Sequence, residues 1–92
     1  MDIKLRYFGF FDDLVGRKEE ILGFTKRDQR IKDVIHLLFE KYGTTFANTL
    51  VDPNTNQVRE GCVLLLNDIK GNMDDEIKDG DVISMLPVLA GG

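Results

Sequence analysis

The chain has a single cysteine, Cys62, a single histidine, His36, two prolines and no tryptophan in 92 residues. Each scarcity excludes something. One cysteine forms no intramolecular disulfide and suits a reducing interior. One histidine and one serine, Ser84, leave little for nucleophilic catalysis by side chains. His36 falls near the polar face of a helical pattern and Ser84 in a closing strand, so a Ser/His/Asp triad, which needs its nucleophile and base within hydrogen-bond reach, is not expected. Basic residues are in deficit: 12 Lys and Arg against 16 Asp and Glu give a net charge of -4 with the signs interleaved, which excludes a typical nucleic-acid partner. Long apolar runs are absent too. Val63 to Leu66 falls far short of the roughly 20 residues of a membrane span, and the charged start "MDIKLRYF" is no signal peptide. The expected compartment is the cytosol, with no membrane partner.

What is present is enough for one core. A hydrophobic content of 42% in 92 residues suits one globular domain over residues 1–92, because two smaller units would each bury too little apolar surface to offset chain entropy. "DIKLRYF" alternates, with Ile3, Leu5 and Tyr7 on one face of a strand and Lys4 and Arg6 on the other. After "FFDDLVG", Gly16 offers a turn, and Ile21, Leu22 and Phe24 mark a second strand folding back on the first. Asp28 is placed to cap a helix in which Ile31, Val34, Ile35, Leu38 and Tyr42 recur within a stripe roughly 100° wide, Phe39 on its flank, until Gly43 stops it. Thr44 to Gly61 reads as a long connection with a short helical turn near Phe46 and Leu50. "CVLLL" is an interior strand ended by Asn67-Asp68, and a closing strand from Val82 to Leu86 follows the Asp79-Gly80 turn, with Pro87 ending it for want of an N–H. The expected class is α+β: one main helix across a mixed sheet of four or five strands.

Three clusters look chemical and fail on detail. Asp52, Asn54 and Asn56 imitate the start of a calcium loop, but Gln57 stands where a glycine is required and Val63 where the closing glutamate belongs. Asp74-Asp75-Glu76 has no histidine nearby and reads as a solvated turn. Cys62 opens an apolar strand and is expected to be buried and inert. No Gly-rich phosphate loop occurs, and no metal site is expected.

The chain ends "LPVLAGG", an apolar strand running almost to a bare Gly91-Gly92 pair. Together with "IKLRYFGFFDDLVGRKEEI", the interior "VLLLND" and the order of acidic-Gly-acidic turn, apolar strand, proline and terminal Ala-Gly-Gly in "IKDGDVISMLPVLAGG", this resembles the MoaD/ThiS family of ubiquitin-like sulfur carriers, MoaD above all. The family also holds the archaeal small modifier proteins. The resemblance implies a β-grasp fold and a non-catalytic role. It further implies that the Gly92 carboxylate is adenylated by a MoeB-like enzyme using ATP and that a sulfur donor protein then converts it to a thiocarboxylate. A MoaE-like large subunit of molybdopterin synthase would receive the sulfur for the molybdenum cofactor, and the chain itself would hold no cofactor stably. Other family members point to alternatives: a protein modifier, a carrier for tRNA thiolation or thiazole synthesis, or a β-grasp binding module without tail chemistry.

The physical logic agrees with that tail. A terminal carboxylate, with a pKa of about 3.3 to 3.7, is an anion at neutral pH and a poor electrophile until it is activated. Residues 87–92 form the expected flexible tail: Gly91 and Gly92 can thread a narrow channel, Ala90 adds little bulk, and Pro87, Val88 and Leu89 offer a partner groove something apolar. Phe8 and Leu86 are expected to form an apolar partner-binding patch. Two departures from the family pattern stand out: Pro87-Val88-Leu89 replaces the frequent Pro-Pro-Val, and Asp68 stands where Gly is commoner after Asn67.

Overall fold

The computed structural model describes residues 1–88. Alternation in the first segment makes β1, Asp2–Tyr7, whose Ile3, Leu5 and Tyr7 are buried while the intervening side chains face outward. β2, Glu19–Gly23, pairs antiparallel with it, Leu22 opposite Ile3 and Glu20 opposite Leu5. Between them lies a helix that the sequence pattern does not announce: α1, Phe10–Val15. Its Phe11 and Val15, four residues apart, are buried, and Gly16, in the left-handed conformation at φ 77°, donates its N–H to the Asp12 carbonyl. Gly16 is therefore a helix stop rather than a hairpin turn.

The main helix, α2, spans Ile31–Tyr42, and Ile31, Val34, Ile35 and Leu38 are buried as the stripe requires. Each such side chain contributes roughly 1.5–3 kcal/mol by leaving water. Asp28 is not the cap. It sits at φ 61° before the helix, and the Arg30 backbone at the N-cap instead donates to the Asp33 carboxylate at 2.7 Å. The next free donors, the N–H groups of Ile31 and Lys32, reach the carbonyls of Asp75 and Met73. The acidic turn is thus a docking loop for the helix start, held by Lys32 to Asp74 at 3.1 Å and Arg30 to Glu76 at 3.5 Å.

The connection after Gly43 is ordered through most of its length. α3, Thr44–Leu50, buries Phe46, Ala47 and Leu50. A small hairpin follows, β3 (Val51–Asp52) against β4 (Gln57–Val58). The Asp52 carboxylate accepts the Asn54 N–H at 2.8 Å, so the calcium-like residues are its turn. β5, Cys62–Leu66, then returns through Asn67 and Asp68, at φ 52° and 69°, to a two-residue strand β6, Ile69–Lys70. Two successive left-handed residues are what a type I′ hairpin needs. β7 runs Val82–Pro87, one residue past the expected stop.

The five-stranded sheet has the order β2-β1-β7-β5-β6, with β1 and β7 parallel at its centre and the other pairs antiparallel. The three helices and this sheet enclose one hydrophobic cluster. This is the β-grasp arrangement: among the described residues the expected main helix is joined by α3, where a short helical turn was expected near Phe46 and Leu50, and by α1, which was not expected.

Candidate functional site

β7 carries the chain toward its last residues, so its neighbours define the root of the tail. On one side lies β5, with Cys62 opposite Pro87 and Val63 opposite Leu86. On the other side is β1, Ser84 opposite Arg6 and Met85 opposite Tyr7. Beyond Tyr7 the Phe8 N–H still donates to the Met85 carbonyl at 3.0 Å, and beyond Pro87 the Val88 N–H donates to the Gly61 carbonyl at 2.9 Å. Pro87 breaks no ladder, because β1 has ended where its missing N–H would be needed. Pro87 and Val88, read from sequence as the start of the tail, are therefore held by the sheet. Leu89, Ala90, Gly91 and Gly92, the rest of that tail, lie outside the described residues.

The register sorts the strand residues into two faces. Ile83 and Met85 pair with Leu5 and Tyr7 and are fully buried under the helices. Val82, Ser84 and Leu86 share the other face with Lys4 and Arg6, and Val63 and Leu65 join them from β5. Val63, Leu65, Val82 and Leu86 are half-buried there. Phe8 is 37% exposed beside them, with the Arg6 guanidinium over its ring at 5.3 Å. Of the expected patch, then, Phe8 stands open and Leu86 is half-covered. The face is an apolar strip edged by cations: Lys4, which meets Glu19 at 3.6 Å, and Arg6. A groove of about 470 Å³ lined by Ile35, Phe39 and Met73 lies on the helical side, away from the tail root.

The scarce nucleophiles do not assemble. His36, on the outer side of α2, faces Glu40 at 3.3 Å, whereas Ser84 is buried on the other face of the sheet. Cys62 is half-buried rather than fully buried, its thiol donating to the Thr49 carbonyl at 3.3 Å. Burial pushes its pKa up and the nearby Arg59 only partly opposes this, which disfavours the thiolate. Among the described residues no group of three or more His, Cys, Asp or Glu is placed to hold a metal ion, and no helix is long and apolar enough to cross a membrane.

Sequence reading missed Gly9, which precedes α1. It has φ 60° and ψ -132°, and a Cβ built there would lie 2.6 Å from Pro87 Cγ and 2.8 Å from Pro87 Cδ. Its only trace in the sequence is a glycine between two phenylalanines.

Comparison with known proteins agrees with this geometry. The model of the ThiS family matches residues 5–92. The chain is 30% identical over 96 residues to small archaeal modifier protein 3 of Haloferax volcanii, covering all of both chains. It is 26% identical over 95 residues to ubiquitin-related modifier 1 of Candida glabrata, covering 98% of this chain and 97% of the other. Among solved structures, one from the complex of subunits 1 and 2 of the molybdopterin-converting factor of Helicobacter pylori superposes with a TM-score of 0.63, at 26% identity and full coverage of both chains. The chain belongs to the ThiS family and is a small ubiquitin-like protein of the modifier and sulfur-carrier kind.

Proposed function

We propose that this chain is a ubiquitin-like modifier that is joined through Gly92 to lysines of other proteins. The observation that carries the reading is similarity over essentially the whole chain to two proteins named as modifiers, together with the Gly91-Gly92 sequence. The molybdopterin role implied by the resemblance to MoaD becomes the second reading, supported by similarity to a chain of the complex of subunits 1 and 2 of the Helicobacter pylori molybdopterin-converting factor.

Both readings begin with the same chemistry. A Gly92 carboxylate oxygen attacks the α-phosphorus of ATP in the active site of a MoeB-like adenylating enzyme. Pyrophosphate leaves, and the carboxyl becomes a mixed anhydride with AMP as its leaving group. In the modifier route, the neutral Nζ of an acceptor lysine attacks the carbonyl; an amide forms, AMP departs, and the amine proton passes to solvent. In the carrier route the outer sulfur of a donor protein's persulfide attacks the carbonyl and AMP departs; a second thiol then cleaves the acyl disulfide, forming a disulfide with the donor's sulfur and leaving a thiocarboxylate for a MoaE-like subunit, for tRNA thiolation or for thiazole synthesis. The folded body supports either route by presenting Phe8, Leu86 and their apolar neighbours to the partner and by holding Pro87 and Val88 in the sheet, from which Leu89 to Gly91 would lead the carboxyl into its channel. Gly92 must carry the free carboxylate for any of this chemistry.

The deciding experiment is expression of an N-terminally tagged chain in its cell of origin, purification under denaturing conditions, and trypsin digestion with mass spectrometry. Lys78 is the last basic residue before Gly92, so a conjugate leaves Asp79–Gly92 branched on an acceptor lysine. Such peptides, absent when Gly91 and Gly92 are deleted, are the expected result. Their absence, with a sulfur-for-oxygen mass change at Gly92 and a co-purifying MoaE-like subunit, would instead establish the second reading.

A further inference from the structure

We infer that Gly9 is a positioning residue that sets the path by which the chain leaves the sheet at Pro87, and that it does so by having no side chain. The part of the inference that concerns activation rests on the tail reading proposed above.

The argument starts from the space at the end of the parallel pair. β1 and β7 run side by side until the Phe8 N–H meets the Met85 carbonyl at 3.0 Å, and then they diverge. β1 turns into α1 at Gly9, whose φ of 60° with ψ of -132° lies in a region that L residues with a Cβ rarely enter. β7 continues as Pro87, whose ring occupies the space an added side chain would need: a Cβ at Gly9 would sit 2.6 Å from its Cγ and 2.8 Å from its Cδ. Both are ring atoms on a fixed φ and cannot rotate aside as the end of a flexible side chain would. A side chain at position 9 on this backbone therefore has to move the proline, and with it the strand end, or leave a φ that L residues resist.

The opposite flank shows what such a shift would break. Pro87 is registered against Cys62, and the next amide, Val88 N–H, donates to the Gly61 carbonyl at 2.9 Å. A Cβ added at Gly61 would meet nothing within 4 Å, so the need for a bare position belongs to the Gly9 side alone. The strand end is gripped between a steric stop on one flank and a hydrogen bond on the other. Pushing Pro87 away from Gly9 takes Val88 out of line with Gly61, and Val88 is the last described residue before the tail. A carboxyl four residues further on would then start its approach to an activating site from a displaced origin. Misplacement on that scale lowers the rate of a positioned reaction more than it weakens docking through a separate surface. Here the docking surface is the Phe8 and Leu86 face, which the Tyr7–Met85 and Val63–Leu86 pairings hold just before the displaced residues.

The test uses three full-length variants: Gly9→Ala, Pro87→Ala and the double variant. Replacing the ring by a methyl removes both clashing atoms. Val88 amide hydrogen exchange is measured by NMR, and ATP–pyrophosphate exchange is measured with an adenylating enzyme that accepts the wild-type chain. In Gly9→Ala, Val88 should exchange at least tenfold faster while Leu64 and Ile83 keep their protection. The kcat for pyrophosphate exchange should fall at least tenfold, with KM within about twofold. The double variant should return to the values of Pro87→Ala for both readouts. Unchanged Val88 exchange in Gly9→Ala, faster exchange with unchanged kcat, or a double variant no better than Gly9→Ala would each overturn the inference. If Gly9→Ala fails to fold, the double variant decides: folded with a protected Val88 it supports the inference, whereas unfolded it assigns the defect to the backbone at position 9 rather than to the Pro87 ring and overturns the inference. If no enzyme activates the wild-type chain, the tail reading fails, while Val88 exchange still decides whether Gly9 sets the exit path.

Discussion

The Tyr7 hydroxyl of β1 donates a hydrogen bond of 2.8 Å to the Glu20 carboxylate of β2, and both side chains are buried. The same carboxylate accepts from the Lys41 ammonium at 2.5 Å and from the Tyr42 hydroxyl, both near the end of α2. One ionised group thus ties two strands to the main helix. An inward-pointing charge on an edge strand also discourages pairing with other chains.

Acid stability follows from that carboxylate. Burial works against its ionised form, but the hydrogen bonds from Lys41, Tyr42 and Tyr7 outweigh it and hold its pKa below the usual value. A depressed pKa means that the unfolded chain binds the proton more readily. The contribution of Glu20 is therefore complete above the unfolded pKa of about 4.3 and fades as pH falls through the lower folded value. Glu20→Gln should cost about 2 kcal/mol in urea unfolding at pH 7, because the partners lose a charged acceptor. Its stability should also fall less steeply than that of the wild type below about pH 4.3. Identical acid limbs in the two proteins would show that another group is responsible.

Helix capping separates two nearby aspartates. Asp33→Ala removes the acceptor for the Arg30 N–H and should cost about 1 kcal/mol. Asp28→Gly should change stability by less than about 0.5 kcal/mol, since a left-handed position suits glycine. Thermal unfolding of the two variants is the check, and the reverse ranking would restore Asp28 as the cap.

The β5–β6 hairpin allows a gain as well as a loss. Asp68 has φ 69°, so Asp68→Gly should stabilise by about 0.5 kcal/mol, glycine entering this region without strain. Asn67→Ala should cost about 1–2 kcal/mol, because the amide both donates to the Asp81 carboxylate and accepts the Val82 N–H, each at 2.9 Å. Chemical denaturation of each variant gives the signs directly, and a destabilised Asp68→Gly would contradict the turn geometry.

Phe8 gives a prediction about docking. Because it is 37% exposed, Phe8→Asp should cost only about 1–2 kcal/mol and leave the chain folded. On the proposed function it should raise the KM of the adenylating enzyme for this chain at least tenfold, about 1.4 kcal/mol. Steady-state kinetics with folded variant protein would decide, and wild-type KM would remove Phe8 from the interface.

Regular elements were legible where a repeating period ran long enough to show. The alternation of β1 and the stripe from Ile31 to Leu38 appear in the structure as read. α1 escaped because six residues are under two turns, too short to display a period, although Phe11, Val15 and Gly16 carry its only signature. In the segment after Gly43 the helical turn at Phe46 and Leu50 was legible, but not its full length or the hairpin that follows, whose two-residue strands are too brief to show a period. The cap was misplaced because Asp28 has the right chemistry at the right distance, yet the docking loop at Met73 to Asp75 supplies the carbonyls from far along the chain.

By itself the sequence determined the elements with a local period, the turn chemistry at Asn67-Asp68 and the bare glycines at residues 91–92, because each is a property of neighbouring residues. Only the tertiary structure decided that β1 lies parallel to β7, that Glu20 meets Tyr7, Lys41 and Tyr42, and that Pro87 rests on Gly9. These pairings join residues up to 78 positions apart, as in Lys4 opposite Val82, and such contacts leave no periodic mark on the chain; they form when burying one shared core brings the segments together.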